Sequence, residues 1–479
     1  MGVAGSHDSA MPSSIANHPD RLFPADPGVR EIARRLHGAV ESLPIISPHG
    51  HVDAAVIADD APFPDPTAML ISPDHYVTRL MHAAGVPLED LRVGGSTGAS
   101  ARDAWRTFCR HWPLFDGTAS GYWLRQEFVD VFGIDDLDIH EETADAVYDS
   151  LQQKIGEPGF RPRALMHQFG IEVLATTDDP LADLTAHDAL AADTSFAPRV
   201  VPTFRPDAYT KFWAEGFAVN ADRLIQIAGG GATGYDGYLA AMASRRRYFA
   251  DHGAVSSDHG THNADTLKLG RDEAATLFAK GLAGTATFAE GLAFEAHMMY
   301  QQAAMALDDG LVMTMHAGVH RNTHPGTLAR FGADTGHDIP FGVDFSTGLQ
   351  PLLADFGTAE GFHFIPFTID ETVFSREIAP LAGFYPSVFI GAPWWFLDAP
   401  DAMLRFRSAV TETSGFSRSS GFIDDTRAFC SIPARHDAAR RTEAAFLARL
   451  VAEHRITEER AAEVIVDLVD GSPRRAFKL

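Results

Sequence analysis

Eight times along the chain a short apolar run ends in a polar or aromatic cluster and gives way to a helical pattern. That repeat constrains the fold more than any other feature. Strands alternating with helices bury their apolar faces as a parallel sheet with the helices packed outside it. The runs are Leu43–Ile46, closing on Pro48-His49-Gly50-His51, and Ile171–Thr176, closing on Thr177-Asp178-Asp179-Pro180. Val200–Phe204 closes on Arg205-Pro206-Asp207, and Ala254–Ser257 on Asp258-His259-Gly260. Leu311–Met315 closes on His316-Ala317-Gly318, and His363–Thr368 on Ile369-Asp370. Ser387–Gly391 leads to Pro393-Trp394-Trp395-Phe396, and Gly421–Ile423 to Asp424-Asp425-Thr426-Arg427. Helical stretches such as Asp265–Lys280, Phe288–Ala306, Thr347–Phe356 and Ala402–Ser408 separate them. The pattern predicts an α/β fold, a (β/α)8 barrel of the TIM type, which gathers its chemistry at the C-terminal ends of its strands.

Between the first and second strands the alternation is absent. Pro62-Phe63-Pro64-Asp65-Pro66 is a stiff connector in which no helix continues. A compact helix follows from Asp74, its N-cap, to Gly85, its stop, with Val77, Leu80, Met81 and Ala84 as the buried stripe. Ala101 to about Gly170 is patterned as helix throughout and carries Trp105, Phe108, Trp112, Tyr122, Trp123 and Phe128. The expected organisation is therefore residues 1–60 (N-terminal helix within 21–42 and first strand), an α-helical insertion at 61–165, and 166–479. The last part holds the rest of the barrel and two closing helices, Arg435–Glu453 and Glu458–Val469. Residues up to about Pro19 are polar and expected to be mobile.

Composition removes several classes of function. With 39 Lys and Arg against 64 Asp and Glu, a net charge of −25 repels a phosphate backbone, so nucleic acid is not an expected partner. No run approaches the roughly 18 apolar residues that a membrane helix needs. The N-terminus has no basic segment leading into an apolar core, so no signal peptide is read. Two cysteines, Cys109 and Cys430, build no disulfide framework. A cytoplasmic protein is expected.

On a barrel, residues distant in sequence meet at one rim. His49 and His51 lie at positions i and i+2 of an extended segment and project to the same face. Two convergent imidazoles begin a divalent-metal site. His316 arrives from the fifth strand and Asp425 from the eighth, which makes a set of imidazoles plus one carboxylate, as at a catalytic zinc centre. His75 and Tyr76 sit in the first turn of the helix capped by Asp74, where free N–H groups favour negative charge. Arg205, Arg321 and Arg427 stand at or just past strand ends of an otherwise acidic chain, a set suited to clamping an anion. Trp394 and Trp395 are an aromatic pair at the end of the seventh strand, residues that usually pack in a core. His259 and His262, with Asp258, lie beside this rim, and the glycine-rich stretch 229–234 lacks the Gly-Lys-[Ser/Thr] ending of a phosphate loop.

His-x-His on strand one, His on strand five and Asp on strand eight resemble the amidohydrolase superfamily. Within it, the chain resembles the uronate isomerases in Asp74-His75-Tyr76, Thr177–Pro180, Arg205-Pro206-Asp207, Ser257–Gly260, His316-Ala317-Gly318 with Arg321, Gly391–Phe396 and Asp425-Thr426-Arg427. The resemblance implies an aldose–ketose isomerase that interconverts D-glucuronate with D-fructuronate and D-galacturonate with D-tagaturonate. It implies one divalent metal, zinc, held by His49, His51 and Asp425, with Asp425, Tyr76, His75 and His316 as catalytic groups. Arg205, Arg321, Arg427 and Trp394 would bind the hexuronate. Binuclear relatives carry a Lys or carboxylate bridge at the end of strand four, and Ser256-Ser257-Asp258-His259 has no Lys, hence the single metal. His320 and His324 are expected to be loop residues. The alternative is a metal-dependent hydrolase of the same superfamily. A barrel with a helical lobe is also a candidate homo-oligomer.

Overall fold

The structure is a computed structural model and describes residue 15, residues 18–134 and residues 138–479. The expected mobile N-terminus lies largely outside the described residues.

Parallel strands dominate. β1 (Ile45–Ser47), β2 (Ile171–Ala175) and β3 (Arg199–Val201) form one parallel sheet, with Ile46 opposite Val173 and Val173 opposite Arg199. β4 (Thr203–Phe204), β5 (Ser256–Thr261), β6 (Val312–Ala317) and β9 (Phe364–Phe367) form the second. Here Ser256 lies opposite Val312, and Met313 opposite Phe364. β7 (Val319–His320) and β8 (Ile339–Pro340) make a small antiparallel pair after β6. A parallel bridge between Asp178 and Phe204 joins the two large sheets. Beyond β9 the order continues through single parallel bridges, Phe364 to Val388 and Ile390 to Ser419. The His51 amide then donates to the Thr426 carbonyl at 3.1 Å, which brings the last of these segments back to the end of β1.

Three expectations about strands need correction. The third run is split, because Pro202 between β3 and β4 has no N–H to donate. The fourth extends to Thr261, so Asp258, His259 and Gly260 lie inside the ladder instead of beyond it. It tolerates them because Asp258 accepts from the Thr314 hydroxyl at 2.7 Å and the His259 ring pairs with the Thr314 carbonyl at 2.9 Å. The seventh run pairs only through the single bridges at Val388 and Ile390, with the Phe389 amide on the Phe364 carbonyl at 2.9 Å and the Ile390 amide on the Arg418 carbonyl at 2.7 Å. The eighth, Gly421–Ile423, forms no strand. The Arg418 guanidinium takes the Pro386 carbonyl at 2.8 Å and that of Val388, acceptors that a ladder would use, and Pro393 ends the segment.

The helices follow local chemistry. Phe288–Asp309 starts with a capping box between Thr287 and Glu290 and stops at Gly310, whose φ is +80°. The helix expected from Asp265 starts only at Arg271, because Thr266 and Leu267 spend their amides on the Gly348 and Ala296 carbonyls. Between β1 and β2 the helices Pro66–Leu70, His75–Ala83, Ala101–Arg110, Ala119–Gln126, Ala144–Ile155 and Pro162–Gln168 pack around Trp105, Phe108, Phe115 and Phe128. Their apolar cluster is continuous with Ile45, Ile171 and Leu174 of the strands. The tail helix Ile432–Ala452 packs against Pro27–Gly38 through Ala444 and Leu447 on Ala33 and Leu36.

This lobe contains a buried acid with a measurable signature. Burial, reinforced by Asp74 and opposed by Arg435, pushes the Glu127 carboxyl from 4.5 up to about 8. The folded chain therefore keeps a proton that the unfolded chain releases near 4.5. That stabilisation is whole below this value and is lost as pH rises through about 8. A Glu127→Gln variant is expected to melt close to wild type at pH 4.5 and several degrees above it at pH 8.5. Thermal unfolding at both values checks this, and parallel melting curves across the range would refute it.

Candidate active site

The strand ends converge on one pocket, of about 770 Å³ including its open mouth. All ten residues singled out in the sequence line it: His49, His51, His75, Tyr76, Arg205, His316, Arg321, Trp394, Asp425 and Arg427.

At its base Asp425 Oδ1 lies 3.3 Å from His49 Nε2 and 3.0 Å from His51 Nε2. No hydrogen bond of good geometry is made by that oxygen, which is fully buried. Burial pushes the Asp425 carboxyl up, but His49 and His51 outweigh it and hold it well below the carboxylate range. Asp425 also has a φ of +43°, a left-handed conformation that Asp accepts more readily than most residues. Thr426 fixes this turn, receiving the His51 amide on its carbonyl and the Ala428 amide on its hydroxyl at 2.9 Å.

His316 is oriented from behind. Its Nδ1 lies 2.7 Å from Asp258 Oδ1, so Nδ1–H donates and Nε2 is left as a buried lone pair without a hydrogen-bond partner. The ring packs against Phe367 at 4.4 Å, His49 at 4.7 Å and Trp394 at 4.7 Å. Burial outweighs Asp258 and lowers the affinity of His316 for a second proton.

Ligand atoms of His49, His316 and Asp425 lie within 4.8 Å of one another, a grouping that could hold a metal ion. His51 is not in that grouping, although its ring reaches Asp425. Two of these atoms, Asp425 Oδ1 and His316 Nε2, are buried and unsatisfied, which is what an absent cation would leave. The donor set of imidazole and carboxylate suits zinc and its neighbours. The charges agree. Four arginines and five aspartates line the pocket, one negative charge in excess. A bound monoanion would add another, and a divalent cation would balance both.

The arginines are each held by carboxylates. Arg205 reaches Asp207 Oδ2 at 3.3 Å and Asp258 Oδ2 at 3.5 Å. Gly260 leaves it room, since a Cβ there would stand 2.7 Å from Asp207 Oδ2 and 3.0 Å from Arg205 Nη2. Arg321 pairs with Asp338 at 3.1 Å and lies over the Trp395 ring, while Arg427 pairs with Asp334 at 2.8 Å. On the opposite wall Asp74 caps its helix by accepting the Tyr76 amide at 2.8 Å. His75 stacks on Tyr76 at 4.8 Å, and burial lowers the imidazole's proton affinity.

The sequence model of glucuronate isomerase matches residues 29–473. The chain belongs to the glucuronate isomerase family. A uronate isomerase of Corynebacterium efficiens is 61% identical over 98% of this chain and 100% of its own length. The solved glucuronate isomerase of Caulobacter crescentus superposes with a TM-score of 0.94 at 44% identity, covering 97% of both chains. For the uronate isomerase of Thermotoga maritima the TM-score is 0.90 at 26% identity, over 96% of this chain and 99% of that one. The protein is thus an enzyme of a family of isomerases. No helix among the described residues is long and apolar enough to cross a membrane.

Four charged residues that sequence reading passed over belong to this family member's pocket or its wall. Asp334 and Asp338 come from the loop Gly332-Ala333-Asp334-Thr335-Gly336-His337-Asp338 between the helix Pro325–Phe331 and β8, whose paired acids among glycines were a usable signal. Arg435 and Asp398 are buried and paired at 2.7 Å. Arg435 was hidden in a tail helix read as an outer layer, yet that helix buries Arg435, His436, Arg440 and Arg441. Residues outside the site also fall into place. The loop expected for His320 is corrected, since it pairs with Ile339 in the β7–β8 hairpin. His324 caps Pro325–Phe331, and the glycines at 230, 231 and 234 form a left-handed turn between two helices. His259 points away into the β5–β6 ladder, and His262 packs on Phe341 at 5.0 Å.

Proposed function

We propose that the protein interconverts D-glucuronate with D-fructuronate, and D-galacturonate with D-tagaturonate, by moving a proton between C2 and C1 through an enediol. Family membership carries the isomerase reading. The observation that favours a uronate substrate is the placement of three arginines in the same pocket as the imidazole–carboxylate cluster. A sugar acid presents a remote carboxylate, which Arg205, Arg321 and Arg427 would hold while Trp394 packs on the ring. Each guanidinium is already positioned by a carboxylate, so little ordering is left for substrate to do.

In this reading Asp425 is the base. It is ionised at neutral pH and takes the proton from C2, while the Tyr76 hydroxyl, flanked by His75, gives one to the C1 oxygen. The return step reverses the roles: Asp425 delivers its proton to C1 and the C2 hydroxyl gives its own back toward Tyr76. His49, His51 and Asp425 would hold one divalent metal, zinc by donor type, with the free Nε2 of His316 as a further donor. When bound, such an ion supplies Lewis-acid stabilisation of the sugar oxygens. We further propose that the parallel strands and bridges form a (β/α)8 barrel with residues 61–165 as its helical insertion, supported by the return of Thr426 to His51. A cytoplasmic location agrees with two buried free cysteines.

Incubation with D-glucuronate in D₂O, followed by proton NMR, is expected to show the ketose. Absence of any ketose from either glucuronate or galacturonate, in the metal-supplemented protein, would overturn the assignment.

A further inference from the structure

We propose that Asp398 is the proton relay of Tyr76: gripped by Arg435, it passes protons between the Tyr76 hydroxyl and a second cavity behind the substrate pocket. The proposal rests on the role given to Tyr76 above.

The phenol has little freedom. Its ring is boxed by His75 at 4.8 Å, Trp123 at 5.6 Å and Phe396 at 6.0 Å. Its hydroxyl lies 3.5 Å from both oxygens of Asp398. Asp398 cannot swing away, because Oδ2 accepts from Arg435 Nη1 at 2.7 Å. Arg435 is fixed in turn, its guanidinium 3.7 Å over the Trp123 ring and its Nε donating to Ser431 at 3.0 Å.

The cavities divide these three residues. Arg435 lines the substrate pocket and Asp398 lines a second cavity, of about 1430 Å³ including its mouth, while Tyr76 forms part of both walls. Ser120, His324 and His337 give the second cavity polar walls. A hexuronate filling the first pocket excludes water from that side of Tyr76. The Asp398 side remains.

The chemistry suits a relay. Burial, together with Asp398, pushes the Tyr76 hydroxyl well above its usual range, so a lasting phenolate is unfavourable. A proton given by Tyr76 to the sugar oxygen must be replaced as it leaves. Burial also lifts the Asp398 carboxyl to about 7 against the pull of Arg435, so it is populated in both forms near neutrality. In the forward step the Tyr76 O–H bond breaks as the sugar O–H forms, and the Asp398 carboxyl O–H breaks as the Tyr76 O–H re-forms. Water in the second cavity then returns a proton to Asp398. In the return step Asp398 gives that proton back to the water and takes one from Tyr76 as Tyr76 takes the proton of the C2 hydroxyl. The turnover is proton-neutral and no redox partner is involved. Asp398 acts through Tyr76 and is a positioning residue rather than a catalytic one.

The test is a double-mutant cycle on the metal-supplemented enzyme with D-glucuronate. Tyr76→Phe is expected to lower kcat by about 100-fold, and Asp398→Asn by about 10-fold or more with KM within about 2-fold of wild type. In the Tyr76→Phe background the Asp398→Asn change should cost less than about 2-fold, because its route of action is already gone. An equal loss in both backgrounds, or an unchanged kcat for Asp398→Asn in an enzyme that Tyr76→Phe impairs, would overturn the relay and leave the isomerase reading standing. Full activity of Tyr76→Phe would overturn the role of Tyr76 and the relay with it. Should an uncompensated Arg435 prevent folding, the charge-balanced Asp398→Asn/Arg435→Gln chain carries the same comparison in both backgrounds.

Discussion

Replacing Asp425 by asparagine is expected to lower kcat by about 1000-fold, in the middle of the range for loss of a general base. Asparagine matches aspartate in size and, like it, tolerates the left-handed backbone found here, with φ +43°. The turn, with Thr426 bonded to His51 and Ala428, should therefore survive. What disappears is the charge. Oδ1 is the one atom that both His49 and His51 approach, at 3.3 and 3.0 Å. An amide is neither a base for C2–H nor an anionic donor for a cation, so turnover and metal content should fall together. Steady-state ketose formation, with metal analysis of the purified variant, measures both. A kcat within about 10-fold of wild type would remove Asp425 from the proton step.

Asp258→Asn is expected to have the second-largest effect, on stability as well as rate. Asp258 is fully buried, its Oδ1 accepts from Thr314 and His316, and its Oδ2 lies 3.5 Å from Arg205. Burial opposes its charge, but His316, His49 and Arg205 hold the carboxyl well below its usual range. An asparagine can still accept from Thr314 and His316 with its carbonyl, but it then turns an NH₂ toward the Arg205 guanidinium. A partly exposed cation loses one of its two carboxylate partners, a change that costs about 1–3 kcal/mol. The imidazole also loses the carboxylate that fixes its tautomer, which at metal sites weakens the metal by roughly 10- to 100-fold. Thermal unfolding and metal titration should both move. A variant with the wild-type melting temperature and metal affinity would show that Asp258 does no more than fill space.

Much of the site was legible because strand ends are legible. A run such as Leu311–Met315 announces a strand by its β-branched and apolar character, and the residue after it, His316, inherits a position at the rim. The same logic placed His49, His51, Arg205 and Asp425 correctly in one pocket. It failed where pairing depends on neighbours. Ser387–Gly391 has the composition of a strand and bonds to Phe364 and Arg418 on its two sides, but the Arg418 guanidinium takes the Val388 carbonyl and the pairing stays at single bridges. Asp258 looked like a loop residue, because a charged side chain inside a strand is penalised unless a partner is near, and its partners Thr314, His316 and Arg205 lie about 55 residues away in either direction.

The sequence by itself determined the rhythm of strands and helices, the helical stretch between the first two strands, and which side chains stand at the strand ends. These follow from local periodicity and from turn and cap chemistry such as that of Asp74 and Thr287, which act over a few residues. Only the tertiary structure decided which charges neutralise one another. Arg205 is shared by Asp207 and Asp258, Arg321 and Arg427 are held by a loop, and Arg435 reaches from the tail helix to Asp398 beneath Tyr76. Burial makes such pairings obligatory without leaving a period in the sequence, because the cost of an unpaired charge is set by whatever the fold brings within a few ångströms.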